Sequence, residues 1–264
     1  MRMRNAVAIE SRQEKILQMI RESGKISVRQ LYDTFGMSVV TIRNDLILLE
    51  EQGLIIRTHG GAIAVQDKDT KDEGTITPFD LREENNFDIK QRIGKAAAEL
   101  VNDGEVIFID GGTTASEMRH YLKDKRDITI ITPSIVVTYW LAVTTNLNVY
   151  VLNGFFRRSS YSTTGIPAMD FLADWNLSKA FFGAAGFTDT EGLSDLHIGF
   201  VEQKKIIAQK ARMNIGLIDS SKWGLVSLGS FVRPEDIDLI ISDTDVPAED
   251  VERTRSLGIE VRLV

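Results

Sequence analysis

The sequence predicts an α/β protein in two parts: a small helical module at the N-terminus and a larger, Rossmann-like domain on a mainly parallel sheet. Three observations carry this reading. The chain has 264 residues, more than the roughly 100–200 of a usual single domain. Residues 67–77 are polar and almost free of core-forming side chains, which marks a linker. Beyond Asn86, β-branched apolar runs alternate with helical patterns, the texture of strands joined by crossover helices. The expected boundaries are a first module over 1–66, a linker over 67–85 and the larger domain over 86–264.

In the first module, Ile16, Leu17, Met19 and Ile20 form an apolar stripe within a helix over 10–22, closed by Ser23-Gly24. Ile26 is extended. Ser27 caps a second helix running through Leu31 and Phe35, and Gly36 breaks it. Met37 makes the corner, and Ser38 caps a third helix continuing through Ile42, Leu46 and Leu49 until Gly53. Residues 54–57 and 62–65 read as two short strands around His59-Gly60-Gly61. Two helices joined by a tight corner and followed by a hairpin make a winged helix-turn-helix, whose recognition helix enters the major groove N-terminus first. Ile42, Leu46 and Leu49 belong to the core, which leaves Ser38, Val40, Thr41, Arg43 and Asn44 as candidates to meet DNA. Arg57 and His59 in the wing are candidates for the backbone or the neighbouring minor groove. Asp45 would repel phosphates, so it is expected to hold the helix in place.

In the larger domain the predicted strands are 106–109, 128–132, 148–152, 179–183, 214–218, 239–242 and 261–264, with a further apolar run at 169–172. Helices are predicted over 90–101, 115–122, 135–143 and 200–211. In a parallel sheet, ligands gather outside the carboxyl ends of the strands. Those ends carry Asp110-Gly111-Gly112-Thr113-Thr114, Thr132-Pro133-Ser134, Asn153-Gly154 with Arg157, Gly183-Ala184-Ala185-Gly186 and Asp219-Ser220-Ser221-Lys222. The Gly-Gly-Thr-Thr turn presents backbone N–H groups and hydroxyls where a helix starts, a setting suited to an anion. It lacks the lysine of a P-loop. Asp110, Gly111, Gly112, Thr113, Thr114, Ser134, Arg157, Gly186, Lys204, Asp219 and Lys222 are the candidate ligand residues.

Composition bounds the rest. The chain has no cysteine, which excludes disulfides, thiol catalysis and thiolate metal sites and fits a reducing cytoplasm. No run approaches the roughly 18 apolar residues of a membrane span, and Met1–Glu10 lacks an apolar signal core. No cofactor, metal or catalytic residue is expected. The net charge of −7 divides unevenly: residues 1–66 hold nine Lys/Arg against seven Asp/Glu, and the remainder twenty-two against thirty-one. A mildly basic module on an acidic body is compatible with DNA binding.

The motifs themselves carry a resemblance. Ser38-x-x-Thr41-Ile42-Arg43-Asn44-Asp45-Leu46, then Leu49-Glu50-x-x-Gly53 and Arg57-Thr58-His59-Gly60-Gly61-Ala62, resemble the DeoR family of bacterial regulators. Asn44 stands where that family usually has Arg or Lys, which removes one positive charge. Asp110–Thr114, Lys179–Gly183 with Gly186, Glu191-Gly192-Leu193, Lys204 and Asp219–Gly224 are similar to the family's C-terminal effector-sensing domain. Here Gly111 replaces a usual Ser, Asn153-Gly154 a usual Gly-Gly, and Thr132-Pro133-Ser134 a common Thr-Asn-Ser. The family's sensor is similar to ribose-5-phosphate isomerase, so the resemblance implies a phosphorylated sugar effector near Thr113, Thr114 and Lys222.

The expected function is a cytoplasmic transcriptional regulator, a repressor of carbohydrate-metabolism genes. Its expected partners are double-stranded operator DNA, a small phosphorylated sugar and further copies of itself, as a dimer or tetramer, with no membrane partner. The alternative is a sugar-phosphate isomerase-like enzyme carrying a DNA-binding domain, for which Asp110, Asp189 and Glu202 are the available carboxylate bases. A pure protein-docking adaptor is the third reading.

Overall fold

A computed structural model describes residues 2–51, 54–58, 60–64, 78–165 and 175–264. The chain divides into two compact units, Met1–Gly74 and Thr75–Val264. Gly53, His59, the polar run 67–77 and the apolar run 169–172 lie outside the described residues.

The first unit holds α1 (Arg2–Ser23), β1 (Lys25–Ser27), α2 (Val28–Phe35), α3 (Val39–Glu51), β2 (Ile55–Thr58) and β3 (Gly61–Ala64). Ser27 caps α2 with a full capping box: its Oγ accepts from the Gln30 N–H at 3.1 Å while Gln30 accepts from the Ser27 N–H at 2.8 Å. Gly36 ends the helix in the left-handed region, at φ 61°. One stripe from each helix, with Ile26, Ile55 and Ala62, closes a single core around Ile16, Ile20, Leu31, Ile42, Leu46 and Leu49. The strands pair in the order β1-β3-β2, antiparallel throughout, so the extended residue at Ile26 is a true third strand of the wing sheet.

Gly61 is fixed by that ladder. A Cβ there would lie 1.9 Å from the Ile26 carbonyl oxygen and 2.7 Å from the Ser27 Cα. Both are backbone atoms and cannot swing aside. Gly61→Ala is therefore expected to destabilise the first unit by about 3 kcal/mol, the upper range for overpacking. Urea unfolding of the full chain, followed by far-ultraviolet circular dichroism, checks this; an unchanged unfolding curve would show that β1 and β3 can separate freely.

The second unit opens with α4 (Phe79–Glu84) and α5 (Phe87–Glu99). This corrects the expected linker over 67–85, because 78–85 form a helix and its flanks, and Phe79 and Leu81 are buried. The six residues of α4 are too few to show a helical period. The strands β4 (Val106–Ile109), β5 (Thr129–Thr132), β6 (Asn148–Val151), β9 (Lys179–Gly183), β12 (Asn214–Leu217), β14 (Leu239–Ser242) and β15 (Glu260–Leu263) form one sheet in the order β15-β14-β12-β9-β4-β5-β6. Every pairing in it is parallel. Side chains alternate between two cores: Ile107, Ile109 and Phe181 pack on one face with α5 and α7 (Ile135–Thr144), while Phe108, Ala180 and Phe182 pack on the other with α8 (Ile198–Lys210). Burial on both faces explains the continuous apolar runs.

Smaller pieces complete the unit. β7 (Phe155–Arg157) and β8 (Ser162–Thr164) form a hairpin. β10 (Gly186–Thr188), β11 (Gly192–Asp195) and β13 (Gly229–Val232) make an antiparallel sheet that the sequence reading did not anticipate. The helix expected over 115–122 is instead one α-turn, α6 (Thr113–Ser116), continued as a 3-10 helix over Glu117–Tyr121. A final helix, α9 (Ala248–Ser256), precedes β15.

Candidate functional site

Two surfaces carry function, one in each unit. On α3, the Ser38 Oγ accepts from the Thr41 N–H at 3.2 Å and lies 2.9 Å from the Thr41 Oγ1, so the helix starts where the sequence placed it. Ile42, Leu46 and Leu49 are buried, while Ser38, Val40, Arg43 and Asn44 are exposed and Thr41 is half-exposed. Asp45, on the inner side, is buried: its carboxylate takes a two-pronged bond from Arg12, at 2.6 and 2.9 Å, and a third from the Gln13 side-chain amide at 3.2 Å. Those hydrogen bonds hold the Arg12 guanidinium above its ordinary pKa, against the opposing effect of burial. Asp45 thus ties α1 to α3, and the exposed start of the helix, Ser38–Asn44, carries no negative charge. In the wing, Arg57 is half-buried beside Glu50, 3.7 Å away, and its N–H donates to the same carboxylate at 3.0 Å. This partner lowers the charge that Arg57 can offer to DNA.

Arg43 is the exposed cation of the recognition face. Arg43→Ala is expected to weaken DNA binding by about 1–3 kcal/mol if it reads a base and to reduce the salt slope by about 1 if it meets a phosphate. Anisotropy titrations at several salt concentrations separate the two. Unchanged affinity and slope would remove Arg43 from the interface.

In the second unit a cavity of about 660 Å³ opens at the carboxyl ends of β4, β9 and β12. The chain runs outward from β4 to β5 and β6, then returns to β9 on the other side of β4. The cavity therefore sits at the sheet's topological switch point, where ligands of open α/β sheets bind. Of the sequence-selected residues, Asp110, Gly111, Gly112, Thr113, Thr114, Lys204, Asp219 and Lys222 line it together.

Three others do not line it. Ser134 is buried and caps α7, its Oγ accepting from the Val137 N–H at 3.2 Å. Arg157 lies on the β7–β8 hairpin with its Nη2 against the His197 Nε2. Gly186 is packed under the Leu225 carbonyl, only 2.3 Å from where its Cβ would stand. Each follows a predicted strand or lies near a strand end, but local hydrogen bonding and close packing have taken it.

The structure adds residues the sequence reading missed. Arg82, Asn85, Asn86 and Lys90 form a wall from α4 and the start of α5, and Ser160, Ser162, Asp195 and the 225–227 loop complete the lining. Gly111 has a positive reason to lack a side chain. A Cβ there would lie 2.2 Å from the Ser162 Oγ, so that hydroxyl fills the space a side chain at 111 would take.

Charge in the cavity is sorted. Lys204 is buried, and its ammonium bridges Asp110 at 2.8 Å and Asp195 at 2.7 Å and donates to the Gly183 carbonyl at 2.9 Å. Burial alone would depress its pKa, but the two carboxylates outweigh it and raise the value. Asp110 also accepts the Gly183 N–H at 3.0 Å, locking the β4 and β9 turns together. Asp219 accepts from the Ser221 N–H at 3.0 Å and from its hydroxyl. Lys90 is buried with its ammonium on the carbonyls of Arg82 and Asn85. Burial, then repulsion from Lys222 and Arg82, brings its pKa down to about 8 despite the opposing pull of Asp219 and Glu117. The acids of the cavity are engaged by protein groups, and Lys90, Arg82 and Lys222 line the same cavity, so the arrangement favours an anion.

A recognition helix with a neutral-to-basic outer face, together with a ligand-sized anionophilic cavity, defines a DNA-binding regulator with a ligand-binding domain. Comparison with known proteins agrees. The family model described as DeoR-like helix-turn-helix domain matches residues 12–68, and that described as DeoR C terminal sensor domain matches residues 85–244. The chain belongs to the DeoR family of transcriptional regulators. Its relatives include the HTH-type transcriptional regulator GolR of Listeria innocua, 31% identical over 96% of this chain and 97% of the relative. They also include the glycerol-3-phosphate regulon repressor of Escherichia coli K12, 27% identical over 96% and 98%. Among solved structures it is similar to ribose 5-phosphate isomerase A from Methanocaldococcus jannaschii, at 23% identity and TM-score 0.39 over 52% of this chain and 55% of that one. No helix among the described residues is long and apolar enough to cross a membrane.

Proposed function

We propose that this regulator is a cytoplasmic repressor of carbohydrate-metabolism genes, and that a phosphorylated sugar held in the β4–β9–β12 cavity sets its affinity for operator DNA. The observation that carries the reading is the sorted charge of the cavity. Lys204 bridges Asp110 and Asp195, and with Arg82, Lys90 and Lys222 the cavity lining holds four cations against three carboxylates. The Thr113 and Thr114 hydroxyls stand beside them, and Asn85, Asn86, Ser160 and Ser162 supply amides and hydroxyls for a polyhydroxy chain. One relative, the glycerol-3-phosphate regulon repressor of Escherichia coli K12, is named for a small phosphorylated polyol, a ligand of this chemistry.

The same charge pattern argues for binding over turnover. An isomerase needs a carboxylate poised to take a proton from carbon. Asp110 is consumed by Lys204 and the Gly183 N–H. Asp189 and Glu202 do not line the cavity; they lie beside Arg253 at 3.4 Å and Lys205 at 3.5 Å. Differential affinity of the effector for the DNA-competent and incompetent states would shift the population between them, with a typical coupling of about 1–3 kcal/mol.

A thermal-shift screen of sugar phosphates against their parent sugars tests the assignment. A ligand at 100 times its Kd stabilises the native state by about 2.7 kcal/mol, so a phosphorylated sugar is expected to raise the midpoint and its parent sugar to leave it unchanged. The double substitution Lys222→Ala with Thr113→Ala is expected to abolish the shift while DNA binding persists. Equal shifts from parent and phosphorylated sugars, or a full shift in the double variant, would refute the phosphate pocket.

A further inference from the structure

The residues of α3 divide by face. Ile42, with Leu46 and Leu49, is buried and marks the inner side of the helix. At 3.6 residues per turn, Val40 and Asn44 each lie about 160° round the axis from Ile42. They therefore stand together, one turn apart, at the centre of the outer face. Val40 is 68% exposed, and Asn44 is exposed as well. Thr41 and Arg43 lie about 100° from Ile42, one on each flank.

The polar groups around Asn44 are engaged within the protein. The Ser38 and Thr41 hydroxyls lie 2.9 Å apart at the start of the helix, and Ser38 also takes the Thr41 N–H. Asp45 is held by Arg12 and Gln13, and Arg57 lies beside Glu50. Among the described residues no hydrogen bond engages the Asn44 side chain. Its amide offers an acceptor oxygen beside an N–H donor. In the major groove adenine presents the matching pair, an N6 amino donor beside the N7 acceptor. Guanine presents two acceptors there, cytosine one donor, and thymine one acceptor beside its methyl group. Adenine alone gives this amide two bonds.

We propose that Asn44 determines base specificity by reading an adenine in the operator: Oδ1 accepts from adenine N6–H and Nδ2 donates to N7. The proposal rests on the reading that α3 enters the major groove. Val40, one turn earlier on the same line, sets its methyl groups against a thymine methyl beside that adenine, which gives an exposed aliphatic side chain an apolar partner. Position on the helix separates this role from a backbone contact. The centre of the outer face meets the floor of the groove, where the base edges lie, whereas the flanks face the phosphates on either side.

Selection of duplexes from a pool of random double-stranded DNA by the full chain, followed by anisotropy titration on the selected duplex, tests this. The wild type is expected to fix an A·T pair that Asn44→Ala leaves free to vary while the other positions keep their preference. On the wild-type duplex, Asn44→Ala should bind about 5–150-fold more weakly. Alanine is the best helix former and the position is exposed, so the fold is expected to persist. Asn44→Arg should move the preference at that pair from adenine to guanine, whose O6 and N7 suit a guanidinium. Replacing the adenine with 7-deazaadenine should weaken the wild type and leave Asn44→Ala unaffected. An Asn44→Ala chain that selects the same sequence overturns the proposal, whether its affinity is unchanged or falls uniformly across sequences as a lost phosphate contact would make it. If Arg43→Ala alters DNA binding in that case, α3 still meets the groove and only the adenine assignment fails. If neither substitution alters it, the placement of α3 fails too.

Discussion

Lys204→Ala is expected to cause the largest loss of stability of any single substitution in the second unit. The ammonium bridges two carboxylates that are otherwise buried or nearly so, and it also holds the Gly183 carbonyl. Its removal takes away the cation in direct contact with both Asp110 and Asp195. Breaking a buried ion pair from one side costs about 3–5 kcal/mol, a large share of the about 5–15 kcal/mol that holds a domain together. The Lys204 ammonium also lies 4.8 Å from the centre of the Phe231 ring, and that cation–π contact goes with it. Removing all three charges, as Asp110→Asn, Lys204→Met and Asp195→Asn together, is expected to recover most of the loss, because the penalty lies in the unmatched charge. Thermal and urea melts of the two variants check this; a stable single variant would show that the triad is ornamental.

The pH behaviour follows in sign. Lys204 has a raised pKa in the folded chain, so its stabilisation is complete below the ordinary lysine value and is lost only as pH rises through the raised one. Lys90 runs the other way. With a folded value of about 8 against 10.5, it penalises the native state below about 8. That penalty fades as pH rises from about 8 towards 10.5, and stability rises across that window. An anion bound beside Lys90 favours its charged form, so effector binding is expected to take up protons above pH 8.

The second large effect is expected at Asp45. Asp45→Ala removes a carboxylate that accepts three hydrogen bonds and joins α1 to α3. Hydrogen bonds to charged groups contribute about 1.5–3 kcal/mol each, and those here are coupled, so a total near 3 kcal/mol is expected. DNA affinity should fall with it, although Asp45 faces away from the recognition surface, because α3 loses its anchor. Arg12→Ala should reproduce the loss, and the two substitutions combined should cost little more than either alone. A double-mutant cycle by urea unfolding measures this coupling; additive losses would show that the pair acts as two independent residues.

Asp45 also shows how far the sequence could be read. The repulsion expected between its carboxylate and phosphates was enough to assign Asp45 a holding role; only the structure supplies Arg12 as its partner. The five inner strands of the parallel sheet were legible because burial on both faces leaves unbroken apolar runs. The β10–β11–β13 sheet was not, since strands of three or four residues show no period. α9 escaped for a related reason: in Ala248–Ser256 only Val251 and Thr254 are buried, so the apolar stripe is a single line among charges.

The cavity was legible in part. Asp110–Thr114, Lys204, Asp219 and Lys222 follow strand ends or match a family motif. Arg82 and Lys90 belong to a wall that a six-residue helix brings in from a stretch reading as linker. Ser134, Arg157 and Gly186 had the right residue types near the right strand ends, but capping, the His197 contact and close packing draw them away. Residue type and order along the chain do not reveal which polar groups have already been satisfied locally.

The central claim is that an anionic sugar in the β4–β9–β12 cavity controls DNA binding, and one titration addresses it. The full chain is bound to labelled DNA from upstream of its own gene, and anisotropy is followed as a stabilising sugar phosphate is added. The account predicts a change in DNA affinity of about 5–150-fold, the usual range of coupling, with no response to the parent sugar and none in Lys222→Ala with Thr113→Ala. A sugar phosphate that binds the chain yet leaves its DNA affinity unchanged would contradict it.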